Sequence, residues 1–345
     1  MDNRQENLGQ VSSFQASQRE EAAHGEEEQA AHPRCPTVHS GQPIVFSDEQ
    51  QARPPGGCLS LGRRRRVTTM KSQREEHGMS EKRLAGRKAL VTGGARGIGA
   101  AIAEALTNAG ASVMIGDILA DLGKETAGRL AKTDAKTGFV ELNVTDDAQW
   151  EKAVAATIAT LGGYDILINN AGIEITSLVI DLKAEDLRRM CDVNIVGTGL
   201  GMKHAFRAMR PGGGAGAGGA IVNIASVAAT IAFPAIAGYS GTKSAVDRMT
   251  RVAAMEAGKL GYGVRVNCLY PGLVPTDMGM QLANDIVAAG LAPDAGAAVA
   301  SVVEQTPLGR LGEVGDMADA AVFLCSNEAR FITGVGLPVD GGMGM

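Results

Sequence analysis

Histidine is nearly absent from the body of this chain. Four of its five histidines (His24, His32, His39, His77) lie in the first 80 residues, leaving His204 alone for the rest. A His-rich zinc site or a Ser-His-Asp triad in the main body therefore lacks its material, and no metal is expected. The five cysteines (Cys35, Cys58, Cys191, Cys268, Cys325) are dispersed, with no Cys-x-x-Cys pair. That pattern suits reduced thiols in a cytosolic protein better than a disulfide framework. Aromatic residues make up only 3% of the chain. No uninterrupted apolar run reaches the ~18 residues of a membrane span. An excess of positive charge is missing too: the formal net charge of −5 argues against a nucleic-acid surface as the main task.

What is abundant is glycine, 46 of 345 residues, about twice the usual share of roughly 7%. Hydrophobic residues reach 45%, enough for a buried core. They are not evenly spread. Residues 1–78 lack apolar periodicity, are rich in glutamine, and carry the charge runs 26–28 and 63–66. This stretch reads as a disordered tail. The four-arginine run is a solvated charge run, or alternatively a basic address. Met79 opens a polar lead, Ser80-Glu81-Lys82-Arg83, into the first apolar run. Residues 79–345 are expected to form a single domain, and the alternative reading of 1–78 is a segment foreign to the natural protein.

From Lys88 onward, short apolar runs alternate with longer helical patterns. Strands are expected near 89–91, 112–116, 139–142, 165–168, 220–225, 264–269 and 336–339. Helices are expected over 98–109, up to 130, over 146–161 with Thr145 as cap, around 185–209, over 240–259 and near 316–325, with an irregular segment before the last. The alternation predicts an α/β fold: a single Rossmann-type doubly wound parallel sheet with helices on both faces. In such sheets ligands bind beyond the carboxyl ends of the strands.

Directly after the first strand stands Thr92-Gly93-Gly94-Ala95-Arg96-Gly97-Ile98-Gly99. Its glycines permit a tight turn and close approach of backbone N–H groups to a pyrophosphate at a helix N-terminus. The second strand ends at Asp117, whose carboxylate suits ribose hydroxyls and repels a 2′-phosphate. That favours NAD over NADP. Arg96 points the other way, since a basic side chain in that turn suits a 2′-phosphate. Asp117 carries more weight because its repulsion is direct.

Tyr239 and Lys243 lie at i and i+4 on one helical face. A free tyrosine, with pKa about 10, is a poor base at neutral pH. A nearby ammonium favours the phenolate, and proton exchange with an alcohol becomes feasible. Ser226, just past the fifth strand, is placed to hydrogen-bond the same substrate oxygen.

These residues, with Asn169-Asn170-Ala171-Gly172, Asn194, Pro271-Gly272 and Val339-Asp340-Gly341-Gly342, occur in the order found in short-chain dehydrogenases/reductases. The chain resembles that family from about Leu84 to Met345. More weakly, the stretches 224–239 and 261–267 resemble bacterial hydroxysteroid and cyclic secondary-alcohol dehydrogenases that use NAD. The resemblance implies Tyr239 as general acid/base and Lys243 as its partner, bound to the nicotinamide ribose. It implies Ser226 polarising the carbonyl or alcohol oxygen, and Asn194 holding a water that links Lys243 to solvent. Asn170, Ala171 and Gly172 would line the adenosine side, and Asn143-Val144 would meet adenine. Val274 and Thr276, after Pro271-Gly272, would meet the carboxamide and phosphates. One departure is visible: the family usually has Asp where Asn143 stands, although an amide oxygen can still accept from the adenine amino group. Members of this length are usually homotetramers.

The substrate pocket is expected between 227–238 (Ile231, Phe233, Ile236) and 278–291 (Met280, Leu282, Ile286, Val287), both mainly apolar. Hydride exchange between NAD and a hydrophobic, cyclic secondary alcohol or ketone is the leading expectation. An NADPH-dependent 3-oxoacyl-thioester reductase is the alternative, and a nucleotide-binding scaffold without turnover is a third. Glu174 reads as a solvated loop charge, with entry into the pocket mouth as the alternative, His204 as a packing or surface residue, and Trp150 as a helix-packing residue.

Overall fold

Every apolar run anticipated in the sequence becomes a strand, and all pair in parallel. The computed structural model describes residues 82–131, 135–216 and 218–345. The expected tail and the Met79 start lie outside the described residues. β1 (Lys88–Thr92) leads through α1 (Gly97–Asn108) to β2 (Ser112–Asp117), then α2 (Ala120–Leu130) to β3 (Thr137–Glu141). α3 (Asp147–Leu161) crosses back to β4 (Ile166–Asn169). The strand order is β3-β2-β1-β4-β5-β6-β7, with β5 (Gly219–Ile224), β6 (Val264–Pro271) and β7 (Gly336–Val339) completing the far half.

The order reverses between β1 and β4, which are hydrogen-bonded neighbours with Val91 opposite Ile168. A crevice opens at the carboxyl ends of strands at such a switch point. The Gly-rich turn after β1 and the Asn169-Asn170 turn after β4 therefore meet there.

Strands buried on both faces need apolar residues throughout, and β1, β4 and β5 read Ala-Leu-Val, Ile-Leu-Ile and Ala-Ile-Val. One core lies beneath α1 and α9 (Val314–Cys325), built from residues such as Ile102, Leu106, Ala318 and Ala321. The other lies beneath α3, α5 (Gly197–Met209) and α6 (Ala237–Lys259), around Trp150, Met202 and Ala253. Some of the glycines permit close approach of helices and strands. A Cβ on Gly201 would come within 2.2 Å of the Asn169 amide oxygen and 2.9 Å of the Trp150 ring. Trp150 is fully buried and its Nε1 donates to the Val144 carbonyl at 2.9 Å. His204 stacks on Trp150 and contacts Asp147 Oδ1 at 2.7 Å, which makes it a packing residue.

Three local expectations need correction. The cap of α3 is Asp146 rather than Thr145, because the Asp146 carboxylate accepts from the Ala148 and Gln149 N–H groups. The long helix over 185–209 is interrupted: α4 (Ala184–Met190) and α5 flank a π turn, Cys191–Val196. The irregular segment after β6 holds two helices, α7 (Asp277–Ala288) and α8 (Ala295–Glu304). α8 is built of Ala, Gly, Val and Ser up to its final Glu304, and none of its residues is fully buried. Among the described residues, no helix is long and apolar enough to cross a membrane.

Candidate active site

The Gly-rich turn is held by the residues around it. Gly93 and Gly97 have φ of +60° and +58°, a region that favours glycine. A Cβ on Gly99 would sit 2.2 Å from the Gly93 carbonyl and 2.4 Å from the Asn170 amide nitrogen. Asn170 Nδ2 donates to the Thr92 and Gly93 carbonyls at 3.0 and 2.9 Å. Thr92 Oγ1 accepts from the Asn170 and Ala171 N–H groups at 3.0 and 3.1 Å. Asn170 thus braces the turn with its side chain. Thr92 is part of the same brace; in the sequence it stands at the head of the Gly-rich turn with no role assigned to it.

The N-terminus of α1 begins after Arg96, with no side-chain cap and no carboxylate in its first turn. A Cβ on Gly97 would meet only Thr276, at 3.6 Å, so the space over this helix end is open. Exposed N–H groups, the positive helix end and a glycine cradle fit a dinucleotide pyrophosphate. Ile98 is half-buried against the first core.

At the end of β2, Asp117 is buried, and each carboxylate oxygen accepts one backbone N–H, from Ala95 at 2.9 Å and Leu119 at 3.0 Å. A carboxylate has about four acceptor directions, so the ribose side remains available. Arg96 is ion-paired with Asp277 at the start of α7. Asn143 is exposed, and its Oδ1 already accepts from the Thr145 N–H and hydroxyl at 3.1 and 2.9 Å. The amide oxygen expected to meet adenine is therefore engaged in its own turn, and the neighbouring Val144 is buried against the second core. Across the crevice, Pro271 closes β6 and the Gly272 N–H donates to the Val339 carbonyl at 3.1 Å. Val274 is buried and Thr276 caps α7.

The catalytic candidates converge from three elements. Ser226 follows β5 and caps a short turn, its Oγ accepting from the Ala228 N–H at 3.1 Å. Tyr239 lies in the first turn of α6, whose entry passes through Ala235 at φ +64°. Lys243, one turn on, is buried, and its Nζ donates to the Ile224 carbonyl at 2.8 Å. The ammonium stands 5.5 Å from the centre of the Tyr239 ring. Asn194, in the π turn, grips the Ile173 backbone with both ends of its amide at 2.9 Å and donates to Thr242 Oγ1, also at 2.9 Å. Such turns recur at functional sites because they re-aim one side chain. Gly172 fills the space between: a Cβ there would lie 3.2 Å from Asn194 Oδ1 and 3.3 Å from Lys243 Nζ. Thr242, which completes the asparagine's bonds, was missed although it stands between Tyr239 and Lys243, because its partner lies 48 positions away.

Burial dominates the electrostatics. It pushes the Tyr239 phenol up to about 12, against the favourable Ser226 hydroxyl and with a further push from Glu174. It pushes the Lys243 ammonium down to about 8. The lowering of the phenol by Lys243 expected from the sequence does not appear: desolvation sets the direction, and the groups that act on the phenol are Ser226 and Glu174.

The chain is similar to known proteins along most of its length. The family described as enoyl-(acyl carrier protein) reductase matches residues 93–344. The chain is 38% identical to a trans-4-hydroxycyclohexanecarboxylate dehydrogenase of Sinomonas cyclohexanicum, over 75% of this chain and 93% of that protein. It is also 38% identical to a 3-alpha-(or 20-beta)-hydroxysteroid dehydrogenase of Mycobacterium tuberculosis, over 75% of this chain and 90% of that one. Among solved structures, a gluconate 5-dehydrogenase from Burkholderia cenocepacia in complex with NADP and tartrate superposes with a TM-score of 0.67 at 33% identity. That match covers 76% of this chain and 97% of the other.

Proposed function

The chain belongs to the short-chain dehydrogenase/reductase family, an oxidoreductase family acting on CH–OH groups with a nicotinamide cofactor, and we propose that this member oxidises a hydrophobic cyclic secondary alcohol with NAD. The observation that carries the reading is the convergence of Ser226, Tyr239 and Lys243 beside the Asn194 network. When bound, the oxidised dinucleotide supplies the hydride acceptor. Tyr239 takes the hydroxyl proton of the substrate and returns it in the reverse direction. Ser226 orients the substrate oxygen and, through its hydroxyl, favours the phenolate. Lys243 is fixed by the Ile224 carbonyl and holds the ribose of the cofactor. Asn194, clamped to Ile173 and Thr242, keeps Gly172 and Lys243 in register and orders a water toward solvent.

Gly93, Arg96, Gly97, Ile98 and Gly99 would hold the pyrophosphate, and Asp117 the adenosine ribose. Val144 would meet adenine, with Asn170, Ala171 and Gly172 on the adenosine side and Pro271, Gly272, Val274 and Thr276 toward the carboxamide. The preference for NAD is supported by the Asp117 charge at the end of β2 and by the pairing of Arg96 with Asp277. That ion pair offsets the one cation in the turn that would welcome a 2′-phosphate. A wall of Phe233, Ile236, Leu282 and Ile286, as the sequence leads one to expect, would suit an apolar ring. Exposed Val252 and Met255, one turn apart on α6, and fully exposed Phe331 before β7 support a homotetramer. Sedimentation analysis tests the assembly.

The reading is tested by nicotinamide absorbance with NAD and NADP separately, against steroid, cyclic, linear and acyl-thioester substrates, with Tyr239→Phe as control. Turnover of a cyclic alcohol with NAD, lost in the variant, supports it. Preference for NADPH with an acyl thioester would overturn both the cofactor and the substrate. Cofactor binding without turnover of any substrate would indicate a scaffold.

A further inference from the structure

Proton exchange engages Ser226, Tyr239, Lys243 and Asn194, and leaves one charged group of the reaction chamber without a task. Glu174 follows Ile173, whose N–H and carbonyl are both held by Asn194 at 2.9 Å. Further on, the Ser177 N–H donates to the Ala235 carbonyl at 2.7 Å, and Ser177 bridges to Ile236, just before Tyr239 in α6. Residues 173–177 are thus strung between the asparagine and the tyrosine, along the edge of the chamber. Glu174 is half-buried there. Among the described residues, its carboxylate accepts one hydrogen bond, from Thr176 Oγ1 at 2.8 Å. Asp285 of α7 faces it, with its own Oδ1 taken by Gln281 Nε2 at 2.8 Å. Burial and the like charge of Asp285 raise the Glu174 carboxyl, and the charge on Glu174 in turn opposes ionisation of Tyr239.

A half-desolvated carboxylate with one donor has unmet acceptor capacity, and burying such capacity unmet is costly. A substrate that brings an O–H or N–H donor fills the gap, whereas a substrate carboxylate meets two like charges. We propose that Glu174 is a specificity-determining residue that binds a second hydrogen-bond donor on the alcohol substrate, so that the enzyme takes diols and amino alcohols and disfavours hydroxy acids. This rests on the dehydrogenase reading above and narrows its substrate class.

Steady-state oxidation of cyclohexanol, trans-1,4-cyclohexanediol, trans-4-aminocyclohexanol and trans-4-hydroxycyclohexanecarboxylate by the full chain tests it, with NAD and, separately, NADP. The diol and the amino alcohol are expected to exceed cyclohexanol in kcat/KM by roughly tenfold, and the hydroxy acid to fall below it by as much. Glu174→Gln should collapse that spread mainly through KM, and Glu174→Asp should restore part of it. A wild type that ranks the four alcohols equally, or a Glu174→Gln enzyme that keeps the full spread, overturns the role. A fall in kcat at unchanged KM would assign Glu174 to the proton path instead and equally overturn it. Cyclohexanol turnover that disappears in Tyr239→Phe keeps the dehydrogenase reading standing even then. No turnover of any of the four with either dinucleotide defeats both.

Discussion

Replacing Lys243 by methionine should abolish turnover while scarcely weakening the fold near neutral pH, and the reason lies in the burial of its charge. Lys243 is 5% exposed, and burial lowers its ammonium from 10.5 to about 8. At about 1.4 kcal/mol per pH unit, that drop corresponds to roughly 3 kcal/mol. The sign follows from proton counting. Between about pH 8 and 10.5 the unfolded chain holds a proton that the folded chain has released, so stability rises with pH across that window. Below about pH 8 both states carry the charge and the folded protein bears the full cost of burying it. Methionine removes this cost, and also the bond to the Ile224 carbonyl, which leaves a buried acceptor unmet at about 1–3 kcal/mol. The two effects nearly cancel at pH 7. At pH 10.5 only the second survives, and the wild type should be the more stable by about 1–3 kcal/mol. Urea unfolding of both proteins at pH 7 and 10.5 reads the change, because groups common to both drop out of the difference. Stability curves that run parallel, with a difference constant to within about 0.5 kcal/mol, would refute a buried ammonium at Lys243.

Tyr239→Phe should lower kcat by about 10²–10⁴-fold, the range of a lost general acid/base, with cofactor binding measured by fluorescence titration nearly intact. Asn194→Ala should cost about 2–4 kcal/mol in urea unfolding, because Thr242 Oγ1 and both backbone groups of Ile173 lose their partner at once. Its kcat should fall as well, and an effect on stability alone would remove Asn194 from the catalytic network. Gly99→Ala places a methyl within 2.2 Å of the Gly93 carbonyl, so dinucleotide affinity should drop at least tenfold in calorimetry. Asp117→Ala removes an acceptor from Ala95 and Leu119 as well as a negative charge. It should lose about 1–3 kcal/mol of stability and shift the NAD-to-NADP ratio of kcat/KM toward NADP, and an unchanged ratio would take Asp117 out of cofactor choice.

The strands were legible because each is short, apolar and bounded by polar or glycine residues, and every one appears within two residues of its expected place. α8 was not: its ten residues are small or apolar except for Ser301 and Glu304, and none is fully buried, so only those two mark its exposed side. The π turn at Cys191–Val196 was equally silent. One extra residue in a helical run leaves composition unchanged and alters only which side chain faces inward. Asn194 was nonetheless singled out, through family resemblance and not through anything its neighbours say.

The site divides along the same line. Tyr239 and Lys243 share one helix, so spacing alone predicts their shared face, and the 5.5 Å between ammonium and ring bears that out. Partnerships between elements have no such local signature. Asn170 bracing the Gly93 turn joins residues 77 positions apart, and Arg96 meeting Asp277 joins residues 181 apart. Both depend on the switch in strand order between β1 and β4, which brings the carboxyl ends of distant strands into one crevice. The electrostatic balance was hidden for a related reason. An ammonium one turn from a phenol argues for a lowered tyrosine, but the same burial that creates the site desolvates both groups and drives them apart, to about 12 and about 8. Glu174 adds to that opposition.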